Sequence, residues 1–270
     1  ALRDSLLLSQ RSSTIARQMG MIERELMASI DWSELSEPSW DQHTVRQEQW
    51  QLEYQDYVMF RIGQTMNDEP SEGQKDALRQ TIHGRGIHML IARFNRTCAW
   101  VASHIVRSNN IQERVAIVNK FIRIAWHCYR QGNMESLCQI MFGLQSPWIA
   151  RLQQTWEQVS LWELRAFEAL RRFTSPREQF AFLRYSMREA IETNIPSRRF
   201  SPLTTSSSPY VPFFGQFVSD LSAIDSLASF VDASGMPNTM PLYDDQELSL
   251  SWDALVNVYR LRIKSHIVRE

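Results

Sequence analysis

The spacing of the apolar residues limits what this chain can fold into. Its first periodic stretch, SSTIARQMGMIERELMASI, opens on Ser12 and Ser13, which are candidate N-cap residues. Behind them, apolar side chains recur at three- and four-residue steps, the period of one face of an α-helix. They are Ile15, Met19, Ile22, Leu26 and Ile30. This period continues along most of the chain and only nine glycines interrupt it, so the sequence predicts an all-α fold.

A second long helix is marked at both ends. In NNIQERVAIVNKFIRIAWHCYRQGN, Asn110 is the candidate N-cap, Glu113 its capping partner and Gly132 the C-terminal stop. The predicted inner face of this helix consists of Val115, Val118, Ile122, Ala125 and Tyr129. The same period predicts further helices over residues 87–107, 134–145, 147–156, 160–172, 176–193, 212–225 and 251–270.

Two stretches interrupt this helical pattern. Residues 43–85 are polar and irregular, with NDEPSEGQKD in the middle, and are predicted to be an insertion. Residues 194–211 carry three prolines and a Ser/Thr run, which predicts a long surface loop. Neither stretch divides the chain clearly, so we expect a single domain over residues 1–270.

Composition excludes several classes of function. The 270 residues are 43% hydrophobic, enough for a sizeable core, and carry a formal net charge of -1. Such a charge gives no broad positive field for nucleic acid, and no apolar run approaches the roughly 18 residues of a membrane span. We expect Cys98, Cys128 and Cys138 to be reduced core thiols of a cytoplasmic protein. The missing initiator Met suggests a piece of a longer chain.

A search for catalytic chemistry gives little. The six histidines form no HxxxH pair and no Cys/His spacing typical of zinc. No phosphate-binding loop or nucleophile elbow is present. His127 and Cys128 are neighbours inside a predicted helix, where their side chains point apart, and Glu23 is expected to be a solvated charge on a helix face. The sequence therefore predicts no metal and no cofactor, and favours a protein that works through its surface.

Several blocks in order along the chain resemble one known family. They are IARQMGMIERELMASIDWSEL, LIARFNRTCAWVASHIV, ERVAIVNKFIRIAWHC, FGLQSPWIARLQQTW, SSSPYVPFFGQFVSDLSAI and LVNVYRLRIKSHIVRE. At this spacing they resemble the catalytic domain of Ras-type guanine-nucleotide exchange factors, of which Son of Sevenless is the familiar member. The resemblance covers residues 5–42 and 86–270.

The resemblance implies a helical bowl with a protruding helical hairpin. Such domains bind a Ras-family small GTPase in its nucleotide-free state and promote GDP release by inserting the hairpin between the two switch regions. Here the arms would be residues 212–225 and 251–270. No covalent bond changes and no cofactor is implied. The protein would work in the cytoplasm and meet the membrane surface only through its lipidated GTPase.

The resemblance also assigns candidate site residues. The exchange residues on the first arm would be Ser219, Asp220, Ser222, Asp225 and Ser226, and the hairpin base would be Phe213 and Phe217. The partner-binding surface would comprise Leu90, Arg93, Asn95, Leu144, Gln145, Pro147, Arg260, Arg262 and Lys264. Simpler interpretations stay open: Leu90, Leu144 and the two phenylalanines as core, Arg93 as one half of a surface ion pair, Asn95 as an internal hydrogen-bonding group, and the three second-arm cations as solvated charges.

The second arm has its own predicted pattern. Its packing stripe would be Val256, Tyr259, Ile263 and Ile267, with the three cations pointing outward. The arm reaches Glu270, where the family continues into further helices.

Departures from the family pattern keep other functions open. Gln145 stands where the family usually has Asn, and Ser226 stands where it has a second acid. The linker between the arms is longer than is common. A degenerate relative that binds a GTPase without exchange is therefore an alternative, and an unrelated helical scaffold or hydrolase is another.

Overall fold

The computed structural model describes residues 7–30, 34–35, 86–193, 210–225, 227–228, 230–231 and 255–269. The described residues up to Phe213, apart from 34–35, belong to one compact unit, and those from Phe214 onward belong to a second. The predicted insertion at 43–85 and most of the predicted loop at 194–211 lie outside the described residues.

The first unit is helical, which confirms the predicted class. Its helices are α1 (Ser12–Ala28), α2 (Gly86–Arg107), α3 (Ile111–Arg130), α4 (Met134–Leu144), α5 (Pro147–Ala150), α6 (Gln153–Trp156), α7 (Leu161–Phe173) and α8 (Ala181–Thr193), with a 3₁₀ turn at Arg177–Gln179.

The core of this unit centres on α4. Helices α1, α2 and α3 all pack against it, and every residue of α4 except Phe142 is buried. Helix α3 supplies the other large part of the core. The largest fully buried side chains in these two helices are Phe121, Ile117, Ile122, Ile124, Leu137, Ile140, Met141 and Leu144. A helix that is buried on all sides must be surrounded by other elements, and α4 is such a helix, with Glu135, Ser136 and Gln139 among its buried residues.

The ends of α3 lie where the sequence predicts them. The Asn110 side chain accepts a hydrogen bond from the backbone N–H of Gln112 at 2.8 Å. Gly132 follows the helix with φ +71°, the left-handed conformation that glycine adopts at low cost. Glu113 does not close a capping box, because its carboxylate accepts from the Ser108 hydroxyl at 3.2 Å.

Other predicted boundaries are wrong in detail. Ser12 is the first residue of α1, whose N-cap position is Arg11 without a side-chain cap. The helix predicted over 147–156 is two short helices, and the one predicted over 176–193 is broken by positive φ at Glu178, Gln179 and Phe180. Local apolar period cannot show such breaks, since it is nearly the same on both sides of them.

The second unit contains both predicted hairpin arms. Helix α9 spans Gly215–Asp225, strand β1 Phe230–Val231, strand β2 Leu255–Val256 and helix α10 Val258–Arg269. The strands pair antiparallel, with Phe230 opposite Val256 and Val231 opposite Leu255. Helices α9 and α10 also contact each other. The sequence predicted helix at 255–256, but these apolar residues extend because β1 offers them a partner.

The predicted packing stripe of the second arm is wrong at Val256 and Tyr259, whereas Ile263 and Ile267 do lie on the less exposed face. Val256 lies in β2 and is 53% exposed, and Tyr259 is 69% exposed. The less exposed face of α10 instead consists of Arg260, Ile263, Lys264 and Ile267. The helix begins only at Val258. The prediction counted helical positions from Val256, and it therefore assigned Tyr259, in the first turn, to the inner side. Arg260 and Lys264 therefore do not point outward as expected.

Among the described residues, no helix combines the length and the apolar character that a bilayer span requires.

Candidate functional site

The segment that leads into α9 is fixed to the first unit by backbone hydrogen bonds. Val211 donates its N–H to Gly132 O at 2.8 Å and accepts from the N–H of Met134 at 2.8 Å. The Tyr210 hydroxyl lies 2.8 Å from Ser186 Oγ, and burial raises the pKa of this tyrosine above its usual range. Residues 210–213 are thus held in extended form, which explains why α9 begins at Gly215 and not at residue 212.

Phe213 completes this attachment. Its side chain is 5% exposed, and its ring centroid lies 5.8 Å from Phe94, 6.0 Å from Phe142 and 5.2 Å from Phe180. Aromatic rings at these separations and inclined angles attract one another beyond their area burial. Phe213 is core packing at the root of the first arm, as one of the two sequence interpretations held.

Helix α9 has one buried side and one exposed side. Leu221 and Ile224 are buried, whereas Ser219 and Ser222 are exposed. The other predicted residues are more mixed: Asp220 and Phe217 are half-buried, Asp225 is the last residue of the helix, and Ser226 lies outside the described residues. Ser219 and Ser222 therefore present their side chains to solvent, and their role in exchange stays a prediction.

Hydrogen bonds join the C-terminal end of α9 and the residues just after it to the N-terminal end of α10. Asn257 donates Nδ2 to Ala228 O at 2.9 Å and accepts the N–H of Arg260 at 3.1 Å. Arg260 Nε donates to Ile224 O, the end of α9, at 3.3 Å. The Arg260 side chain is therefore hydrogen-bonded to the first arm. Arg262 is exposed and Lys264 is half-buried.

Apolar side chains are exposed along the second arm, which sequence reasoning missed. They are Leu255 (52%), Val256 (53%), Val258 (55%), Tyr259 (69%) and Leu261 (53%). The signal was present in the sequence, since apolar residues at 255, 256, 258, 259 and 261 are too closely spaced to share one helix face. Exposed apolar groups at this density typically mark an interaction surface.

The predicted partner-binding residues of the first unit fall into two groups. Leu90 and Leu144 are 1% and 0% exposed, and Arg93 is also buried. Asn95, Gln145 and Pro147 are exposed. Only the second group presents side chains to solvent, and a partner-binding role for any of them stays a prediction.

Arg93 is engaged inside the protein. Its Nε donates to Glu23 Oε1 at 2.5 Å, and both side chains are buried. Gln139 Nε2 donates to the same oxygen at 3.1 Å. This polar cluster ties α1, α2 and α4 together. The expectation that Glu23 is a solvated charge is wrong, because it sits between Met19 and Leu26 on the apolar stripe, four residues after the first and three before the second.

Gln145 lies at the C-terminal cap of α4 with its amide already bonded. Its Nε2 donates to Met141 O at 3.1 Å. Pro147 starts α5, and the neighbouring Trp148 is 60% exposed with the Arg151 guanidinium 5.4 Å from its ring centroid. Gln145, Pro147 and Trp148 are therefore exposed together, and sequence reasoning did not single out Trp148.

The cysteines are protonated thiols. Burial raises the pKa of Cys98 to about 12 and also raises the pKa of Cys128 and of Cys138 well above the usual range, with nearby glutamates adding to the shift. A thiol in this state is a poor nucleophile. In the part of the chain that the structure describes, no three His, Cys, Asp or Glu side chains group so as to hold a metal ion.

Comparison with known proteins agrees with the resemblance seen in the sequence. The family model of the RasGEF domain matches residues 14–262, a range that contains α9, the start of α10, nearly all of α1 and the other helices of the first unit.

Individual relatives carry exchange-factor names. The chain is 26% identical over 211 residues to guanine nucleotide exchange factor LTE1 of Kluyveromyces lactis, covering 78% of this chain and 13% of that protein. It is 31% identical over 132 residues to Ras guanine nucleotide exchange factor C of Dictyostelium discoideum (49% and 8%). It is 36% identical over 94 residues to human Rap guanine nucleotide exchange factor 5 (35% and 16%).

In each of these relatives the match spans less than a fifth of the protein's length. The family match, by contrast, extends over nearly all of this chain. The chain therefore belongs to the RasGEF domain family.

Proposed function

We propose that this chain is an exchange factor for a small GTPase of the Ras or Rap type. The observation that carries the proposal is the RasGEF match over residues 14–262, together with relatives named for Ras and Rap exchange. The chain would bind the GTPase in its nucleotide-free state and so promote GDP release. No covalent bond changes, and no cofactor is required.

The two arms of the second unit suit this role. Helices α9 and α10 contact each other and are bridged by Arg260 Nε and Ile224 O, so they can act as one rigid insert. Ser219 and Ser222 on α9 and the apolar Tyr259 and Leu261 on α10 are exposed. We infer that these side chains contact the switch regions, which the hairpin separates.

Such catalysis is a matter of linked binding equilibria. A factor that binds the nucleotide-free GTPase more tightly than the GDP-bound form weakens GDP affinity by the same ratio. Only contacts that differ between the two forms contribute to this ratio. The exposed apolar groups on α10 are good candidates, since burying them against a displaced switch region gains about 25 cal/mol per Å² of apolar surface.

The test is release of a fluorescent GDP analogue from a panel of Ras and Rap GTPases, with and without the chain. We expect acceleration for at least one GTPase, and loss of most of it in the Tyr259→Ala/Leu261→Ala variant. Phe182→Ala is the control, because Phe182 is equally exposed, at 61%, but lies on α8. Normal acceleration by the α10 variant would exclude these residues from the exchange surface.

One observation favours the second candidate, a domain that binds a GTPase without exchange. The Gln145 amide is bonded to Met141 O within its own helix end, so it reaches a partner only by giving up that bond. If the chain captures a nucleotide-free GTPase but does not speed GDP release, this candidate replaces the first. Exchange activity gained in the Gln145→Asn or the Ser226→Glu variant would then show which of these residues prevents exchange.

A further inference from the structure

The outer side of the first unit carries a pocket that exchange does not use. It lies between α3 and the start of α7 and has a volume of about 560 Å³. Its lining consists of Arg123, Trp126, His127, Arg130, Ser160, Trp162 and Glu163. The four α3 residues recur at steps of three, one and three, so they share one face of the helix.

The charges of this pocket do not cancel. Arg123 Nε donates to Glu163 Oε1 at 2.7 Å, which neutralises both groups. His127 is uncharged at neutral pH, since burial and then the Arg130 charge lower its pKa. Among the residues that the structure describes, Arg130 has no hydrogen bond or ion pair through its side chain. Within the described part of the chain, a positive charge at the pocket is therefore uncompensated.

The positive character continues along α7. Arg165 lies three residues after Trp162 and four after Leu161, so the three are neighbours on the helix surface. In the described part of the chain Arg165 likewise has no ion pair. The next acid along the helix, Glu168, is bound by Arg171 at 2.7 Å. This face is positive although the chain as a whole carries a formal charge of -1.

Two large apolar side chains stand beside these cations. Leu161 is 64% exposed and Trp162 is 52% exposed. The Trp162 ring is held edge-on to Trp126, with the centroids 6.1 Å apart, which fixes its position without covering it. Leu161 does not line the pocket. We call Arg130, Leu161, Trp162 and Arg165 the Trp162 surface.

We propose that the Trp162 surface binds an anionic lipid membrane. Tryptophan is favoured at the membrane–water interface, where its apolar ring and its N–H are both accommodated. Arginines near such a surface are attracted to its negative potential. Leu161 and Trp162 would enter the interface, and the pocket beside them would receive a lipid headgroup at Arg130.

An acidic peptide is the less favoured ligand. A peptide recognised by this pocket would place its apolar groups inside the pocket, where enclosed walls could cover them. Leu161, the more exposed of the two apolar side chains of this surface, lies outside the pocket instead. A fluid interface covers a projecting leucine and a neighbouring tryptophan without needing a shaped wall.

Sedimentation with lipid vesicles tests the proposal. The probes are vesicles of phosphatidylcholine alone and vesicles that also contain phosphatidylserine, and the assay contains no GTPase, so its result is independent of the proposed exchange function. We expect binding only to the phosphatidylserine vesicles, weakening as salt is added. Each arginine near the surface contributes about 1 kcal/mol, so Arg130→Glu and Arg165→Glu should each lower the partition coefficient about fivefold or more.

Leu161→Ser separates membrane contact from folding. Because Leu161 lies outside the pocket and is largely exposed, its replacement should leave stability unchanged while it reduces vesicle binding several-fold. Phe182→Ser and Arg188→Glu are the matched controls, since both residues are exposed on α8. The controls should bind as the unchanged chain does.

Three outcomes would overturn the proposal. The first is equal binding to both kinds of vesicle. The second is loss of binding in the α8 controls but not in the Trp162-surface variants. The third is failure to bind vesicles together with Arg130-dependent binding of an acidic peptide or of inorganic phosphate.

Discussion

At the scale of single residues, the buried Glu23 carboxylate depends on its neighbours. The carboxylate is fully buried. Its charge is balanced by Arg93, and Gln139 Nε2 donates a further hydrogen bond to it. Removing one partner from a buried ion pair leaves an uncompensated charge, which costs far more than losing an exposed pair. From the sequence we expected Glu23 to be solvated, and only the fold shows that it is buried beside Arg93, 70 residues away in the chain.

Arg93→Met should therefore destabilise the protein by about 3–5 kcal/mol. Glu23→Leu/Arg93→Met should recover most of this loss, because it removes both charges. The free energy of unfolding in urea measures both. Arg171→Met is the control, since its pair with Glu168 is about half exposed and should cost less than about 1 kcal/mol. Equal losses in Arg93→Met and Arg171→Met would show that the Glu23 charge is not held by Arg93.

The three thiols give a prediction about pH. Burial raises the pKa of Cys98 from 9.0 to about 12 and raises the other two as well, whereas in the unfolded chain all three ionise near 9. The unfolded state therefore releases protons first, and the cysteine contribution to stability falls as pH rises above about 9. Below that pH it is constant.

Thiol labelling tests the burial that raises these three pKa values. At pH 8 the folded chain should react very slowly with a disulfide reagent, and three thiols should react promptly in urea. Rapid labelling of Cys128 or Cys138 in the folded chain would contradict their burial.

At the scale of elements, hydrogen bonds between residues that are distant in sequence determine where some helices begin, which the local spacing of apolar residues does not show. The apolar pattern predicted helix from residue 212, but Val211 is bonded to Gly132 and Met134, so the chain stays extended up to the turn before α9. The pair β1 and β2 was missed for the same reason. By contrast, the residues that cap α3 lie next to the helix in sequence, so both of its ends were predicted correctly.

Gly132 is the element boundary most sensitive to substitution. Its φ is +71°, and an added Cβ would lie 3.4 Å from the Tyr210 ring. Gly132→Ala should cost about 1–2 kcal/mol, the penalty for a side chain in the left-handed region. Chemical denaturation checks this against Gln131→Ala, the adjacent residue with φ -90°, which should change stability little. A neutral Gly132→Ala would mean that the chain relaxes to negative φ there.

At the scale of the whole molecule, the two compact units carry different surfaces. The family resemblance predicted the domain type and the positions of both arms, because these depend on ordered blocks of sequence. Which side chains are exposed on α10, and which cations of α3 and α7 have no ion pair among the described residues, depends on how distant helices pack. Those features appeared only in the structure.

This division predicts that exchange and membrane binding can be separated by mutation. Tyr259→Ala/Leu261→Ala should abolish most of the acceleration of GDP release measured in solution and leave binding to phosphatidylserine vesicles unchanged, since both residues lie in the second unit. Leu161→Ser should do the reverse, because it lies in the first. Both activities are measured on the same preparations, with Phe182→Ser as the shared control. If either variant lowered both activities while Phe182→Ser lowered neither, one surface would have to serve both functions, and the assignment of separate surfaces would be wrong.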